Sequence, residues 1–266
     1  MLATATIPKR FQTWNARWGA PHGRGQPTDA IARLRPSEID ALGPFAWQAN
    51  NPTRSFEYPW VYHVIEEARA ARVVEVGGGL SGLQFVLARD GRAVTNIDPG
   101  GGTGDWTIDA ASHLRLQEVF GARVSLEMTT IGGAGIPAGS TDVLFSVSAL
   151  EHFSDAALEE FADEVPRLLR PDGFVVLTVD LFLDVAPFEE PVTNRFGRNI
   201  DIAGLLARAG LRLRVGDRRE LHGFREFDAA RVLERRASYL ESPYYPALAQ
   251  CLIAEIDPGA GRLGQP

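Results

Sequence analysis

Residues 73–85, VVEVGGGLSGLQF, join a β-branched run to three glycines and the start of an apolar helix. Gly77, Gly79 and Gly82 satisfy G-x-G-x-x-G, the spacing of a dinucleotide-binding turn. In that chemistry the glycines let the backbone approach a pyrophosphate held at the helix N-terminus. A carboxylate about twenty residues on then takes the ribose hydroxyls. Asp98 fits that place. Glu75, two residues before the first glycine, has no part in that pattern. A carboxylate buried at a strand end is costly without a partner. Glu75 therefore serves the turn's own backbone or a cationic ligand, and it repels a phosphate. The alternative ligand is a cationic nucleoside without phosphate, whose ribose diol and ammonium group both want carboxylates. Glycines at the turn then permit its close approach.

A second stretch, SVSALEHF at 146–153, gathers Ser146, Ser148, Glu151 and His152. A neutral imidazole near physiological pH suits a general base, which makes His152 the first candidate. His63, His113 and His222 are reserves. Glu151 either acts beside His152 or stabilises a helix N-terminus.

The elements that must hold these residues follow from residue 72 onward. RVVEV, AVTNID, RVSLEM, TDVLFSVSAL and GFVVLTVDLF predict five strands, and LRLRVGDRREL and ALAQCLIAEI two more. SGLQFVLARDG, DWTIDAASHLRLQEVFG, DAALEEFADEVPRLLRPDG and IDIAGLLARAG predict the helices between them. Strands alternating with helices imply right-handed crossovers and a mostly parallel, helix-covered sheet. Ligands then sit beyond the carboxyl ends of the strands, where Gly77–Gly79, Asp98, Ile131–Gly132 and Ser146–His152 all fall. Upstream, RPSEIDALGPF predicts a short helix that Ser37 can cap, GAPHGRGQP (19–27) a loop, and residues 58–71 a longer helix. The N-terminal aromatics either line an apolar pocket or dock this segment on the sheet.

The order of these motifs resembles a class I S-adenosylmethionine-dependent methyltransferase of the small-molecule type. The stretches that carry the resemblance are VVEVGGG, DVLFSVSALEHF at 142–153 and LLRPDGFVVLTVD at 168–180, within residues 70–257. The resemblance implies an α/β fold with a doubly wound, mostly parallel seven-stranded sheet. Helices cover both of its faces in the Rossmann-like manner, with an N-terminal extension. It assigns Glu75, Gly77, Gly78 and Gly79 to the first cofactor motif, with Ser81 where a third glycine is common. Asp98 takes the ribose hydroxyls, and Pro99 and its neighbours the adenine edge. Where the family often carries an Asp for the adenine amine, this chain has Gly132, and a carbonyl near Ile131 takes its place. Ser146 and Ser148 line the methionine end, and Glu151 and His152 lie beside the methyl group. The expected activity is methyl transfer from S-adenosyl-L-methionine to a small acceptor, at a hydroxyl oxygen of a secondary metabolite or sugar. The alternatives are an NAD(P)-binding oxidoreductase and a methyltransferase-like domain that binds without turnover.

The 266 residues divide into an arm, 1–57, and a methyltransferase domain, 58–266, with insertions near 182–199 and 221–247. A net charge of −7 argues against a nucleic-acid partner, whose phosphates need a basic face. No apolar run reaches a membrane span, and the first residues lack an apolar signal core. Cys251, the single cysteine, excludes an internal disulfide and a cysteine-rich metal site. A small-molecule substrate, a cytoplasmic setting, no metal and no membrane partner are therefore expected. The oligomeric state is left open.

Overall fold

The computed structural model describes residues 1–22, 28–100, 108–184, 193–194 and 196–259. The loop expected at 19–27 and the insertion at 182–199 lie partly outside these. Two compact units divide the chain: Ile7–Ala134, and Gly135–Pro266 together with Met1–Thr6. The fold is the expected seven-stranded, mostly parallel, Rossmann-like sheet, with strands in the order β3-β2-β1 in the first unit and β4-β5-β9-β8 in the second.

The first unit runs α1 (Lys9–Trp18), α2 (Thr28–Arg33), α3 (Pro36–Leu42), α4 (Arg54–Glu67), β1 (Arg72–Val76), α5 (Gly82–Arg89), β2 (Ala93–Ile97), α6 (Ala110–Phe120) and β3 (Val124–Glu127). The three strands are parallel, and Glu75 of β1 lies in register with Asn96 of β2. Local signals set the ends of α6: Asp109 caps its start by accepting from the Ser112 N–H at 2.8 Å, and Gly121 closes it at φ +59. The N-terminal aromatics are core. Phe11 packs edge-on against Phe56 at 5.2 Å, Trp14 against Phe45 at 5.6 Å, and Phe45 against Tyr58 at 5.1 Å.

The second unit runs β4 (Thr141–Val147), α7 (Asp155–Leu168), β5 (Leu169–Phe182), the short pair β6 (Thr193–Asn194) and β7 (Gly197–Arg198), α8 (Ile202–Arg208), β8 (Leu211–Val215), α9 (Ala229–Glu234) and β9 (Ala247–Ile256). β4 and β5 are parallel, and β9 runs antiparallel between β5 and β8. β5 is buried from Val175 to Leu181, all aliphatic except Thr178 and Asp180. Among the described residues no helix is long and apolar enough to cross a membrane.

Three local expectations change. Ser37 does not cap α3: Pro36 takes the first helical position, the cap is Arg35, and Glu38 accepts its N–H at 2.8 Å. The helix expected over 58–71 spans Arg54–Glu67. The LRPDG stretch does not extend α7, because Leu169 is already extended at φ −69, ψ 138 and begins β5.

Gly82 shows how closely the N-terminal segment packs. A Cβ there would lie 2.6 Å from the Phe45 ring and 2.8 Å from the Pro44 carbonyl carbon. Gly82→Ala is therefore expected to destabilise the protein by about 1–3 kcal/mol through overpacking, measured by urea unfolding.

Candidate functional site

In the first unit, the strand–turn–helix from β1 to α5 brings Glu75, the glycines and Asp98 together. Gly77 (φ +72) and Gly79 (φ +54) lie in the left-handed region that favours glycine. Gly78 is needed for space: its Cβ would lie 2.5 Å from Glu75 Cδ and 2.7 Å from Asn96 Oδ1. Glu75 is 1% exposed, beneath the turn. Ser81 Oγ donates to its Oε1 at 2.8 Å, while its Oε2 is buried with no hydrogen-bond partner. Burial, with a smaller contribution from the Asp98 charge, pushes its carboxyl up to about 8 against the opposing Ser81 bond. Asn96 Oδ1 is likewise buried and unpartnered.

The tip of the turn is held by side chains. Asp98, half-buried after β2, accepts from the Gly79 N–H at 2.8 Å and the Gly100 N–H at 2.9 Å. The Leu80 N–H donates to Gln48 Oε1 at 3.0 Å, and the Ser81 N–H to the Gly78 carbonyl at 2.9 Å. The Gly79 carbonyl accepts from Asn96 Nδ2 at 2.9 Å and Gln84 Nε2 at 3.1 Å. Behind Gln84 a buried chain of donors continues. His113 Nε2 donates to Gln84 Oε1 at 2.8 Å, Gln117 Nε2 to His113 Nδ1 at 2.9 Å, and the Val124 N–H to Gln117 Oε1 at 2.9 Å. Burial drives His113 down to about 4, so it stays neutral and joins helices rather than moving protons. That removes it from the candidate bases. Of the remaining positions in this unit, Pro99 is exposed, Ile131 is buried and Gly132 is exposed in the turn after β3.

In the second unit, Ser146 is buried in β4, and Ser148 just beyond it takes φ +40, rare for a residue with a side chain. The Ser148 N–H donates to the Thr178 carbonyl at 2.9 Å and its Oγ to Asp180 Oδ1 at 3.2 Å. The Tyr245 hydroxyl donates to Asp180 Oδ2 at 2.9 Å, and Phe196 stacks on the Tyr245 ring at 4.2 Å. Glu151 and His152 share a single 3-10 turn, Leu150–His152, with Glu151 buried and His152 exposed. Elsewhere, His222 Nδ1 bonds the Ile200 carbonyl at 2.9 Å, and His63 bonds Glu66 at 2.9 Å.

The residues that sequence reasoning missed are Gln48, Asn96, Asp180 and Tyr245. Two had a signal: Asn96 and Asp180 are polar residues near the carboxyl ends of apolar strands. Gln48 had none, since it meets its partner only through the fold, and Tyr245 stands out in the sequence only as one of the aromatics that could line a pocket.

Residues 74–177 match the family described as a methyltransferase domain. Residues 74–177 are a methyltransferase domain. Among solved structures, the 1,6-didemethyltoxoflavin-N1-methyltransferase of Burkholderia thailandensis, with 1,6-didemethyltoxoflavin and S-adenosylhomocysteine bound, is 15% identical over 96% of this chain and 94% of its own, at a TM-score of 0.51. The 4+2 cyclase SpnF is 15% identical over 97% and 100%, also at 0.51. The PH0226 protein from Pyrococcus horikoshii OT3 is 11% identical over 76% and 89%, at 0.50. At these identities the likeness is one of fold. No curated protein matches in sequence. The Gly79 and Leu80 N–H groups are already taken by Asp98 and Gln48, so these donors are not offered to a phosphate.

The raised pKa of Glu75 has a consequence for stability. The unfolded carboxyl ionises near its ordinary value of 4.5, whereas the folded one keeps its proton up to about 8. Folding therefore takes up a proton between those values. The stability Glu75 contributes is full below about pH 4.5 and is lost as pH rises to about 8. Glu75→Gln, which cannot ionise, should lose most of this dependence; unfolding free energies of both proteins over that pH range measure the difference.

Proposed function

We propose that this methyltransferase transfers the methyl group to a hydroxyl oxygen of a small acceptor, a secondary metabolite or a sugar, in the cytoplasm. The observation that carries the reading is the cluster at the carboxyl ends of β4 and β5. There one buried carboxylate, Asp180, gathers the hydroxyls of Ser148 and Tyr245. Hydroxyl groups held this way can orient an acceptor hydroxyl through their remaining lone pairs. S-adenosylmethionine supplies an already activated methyl on a sulfonium. A hydroxyl acceptor must also shed a proton as its oxygen forms the new bond. His152, exposed on the turn after β4, takes that proton and hands it to water, with Glu151 buried beside it. By the family resemblance, Glu75, the glycines and Asp98 hold the nucleoside, with Pro99, Ile131 and Gly132 at the adenine and Ser146 and Ser148 at the methionine. The Burkholderia neighbour, solved with 1,6-didemethyltoxoflavin bound, supports an acceptor of small size. The buried single cysteine, Cys251, is compatible with a reducing compartment.

The test is an assay with methyl-labelled S-adenosylmethionine against panels of hydroxylated and amine acceptors. Label should enter the hydroxylated compounds. With the best of them, His152→Ala should keep its affinity for S-adenosylhomocysteine and lose roughly a hundredfold to ten-thousandfold in turnover. Label entering amines alone contradicts oxygen transfer. Equal loss of affinity and thermal stability in His152→Ala contradicts its role as the base.

A further inference from the structure

Two of the three fingerprint glycines face the N-terminal segment. Gly82 makes room for Phe45 and Pro44, and a Cβ on Gly79 would lie 2.8 Å from Gln48 Oε1. The turn is thus shaped to receive residues 44–48, and Gln48 is where that segment meets the turn's polar groups. Its Oε1 accepts the Leu80 N–H at 3.0 Å. A backbone N–H can only donate, so this contact fixes which end of the carboxamide faces the turn. The other end, Nε2, donates to the Tyr58 hydroxyl at 3.4 Å. Tyr58 in turn donates to Asn50 Oδ1 at 2.7 Å, and Asn50 Nδ2 donates to the Phe45 carbonyl at 3.1 Å and the Gln48 carbonyl at 3.3 Å. Tyr58 and Asn50 are buried, whereas Gln48 is half-exposed. The carboxamide is therefore locked from below and presented at the rim of the turn.

We infer that Gln48 is a positioning residue of the cofactor site, which fixes the tip of the turn by holding the Leu80 N–H. The N-terminal segment is then a working part of that site as well as a packed extension. Without the carboxamide, the Leu80 N–H loses its acceptor, and of the two side chains that hold tip N–H groups only Asp98 is left. A turn free to move must be ordered again each time the nucleoside binds, which lowers affinity.

The inference rests on S-adenosylmethionine as cofactor, and calorimetry with S-adenosylhomocysteine separates the two claims. Three proteins are compared: wild type, Gln48→Leu and Trp47→Phe. Trp47 is a packing control in the same segment, 1% exposed, with its Nε1 donating to the Gly43 carbonyl at 2.9 Å. Gln48→Leu is expected to bind about tenfold more weakly, the order of one lost hydrogen bond. Trp47→Phe is expected to melt at a lower temperature with affinity unchanged. If Gln48→Leu binds as tightly as wild type, or if affinity falls in step with melting temperature in both variants, Gln48 is only a packing residue. If wild type itself fails to bind, the cofactor reading falls and takes this inference with it.

Discussion

A carboxyl group without an ionic partner lies beneath the glycine turn, and much of the first unit is arranged around that fact. Burying Glu75 as a charge would cost several kcal/mol, so the fold keeps it protonated instead. The arrangement asks for specific neighbours. Gly78 must lack a side chain to lie over it, Ser81 must supply a hydroxyl, and Asn96 on the adjacent strand must turn its amide toward the Gly79 carbonyl. The result is a turn with an acid below it and its tip N–H groups bonded to protein. With those donors already used, the turn suits a phosphate-free nucleoside.

Rigidity comes from polar groups that are satisfied in series. The chain from Val124 through Gln117, His113 and Gln84 to the Gly79 carbonyl runs with every donor pointing the same way. Such buried chains tolerate no reversal, since flipping one amide leaves two groups unpaired. Burial lowers the basicity of His113, and the neutral ring leaves its Nδ1 free of a proton to accept from the Gln117 amide. In the second unit Asp180 plays a comparable part for hydroxyl groups, collecting Ser148 and Tyr245 at the strand ends.

Local features were legible in the sequence. Glu75, Gly77, Gly79 and Asp98 could be placed because strand, turn and helix are contiguous there, and alternating apolar and amphipathic runs gave all seven strands. What depends on distant packing was not legible. Gln48 lies 32 residues from Leu80, and Tyr245 lies 65 residues from Asp180. His113 looked like any other titratable imidazole because burial leaves no mark on an isolated residue. Gly82 completed a dinucleotide fingerprint by spacing alone, whereas its physical reason is the ring of Phe45. Capping failed where two signals competed, since Pro36 displaced Ser37 from the cap.

The central claim is that this glycine turn selects a phosphate-free nucleoside. Calorimetric titration of the wild-type protein with S-adenosylhomocysteine and, separately, with NAD tests it most directly. The account predicts saturable binding of S-adenosylhomocysteine and none of NAD. Binding of NAD with none of S-adenosylhomocysteine would contradict it.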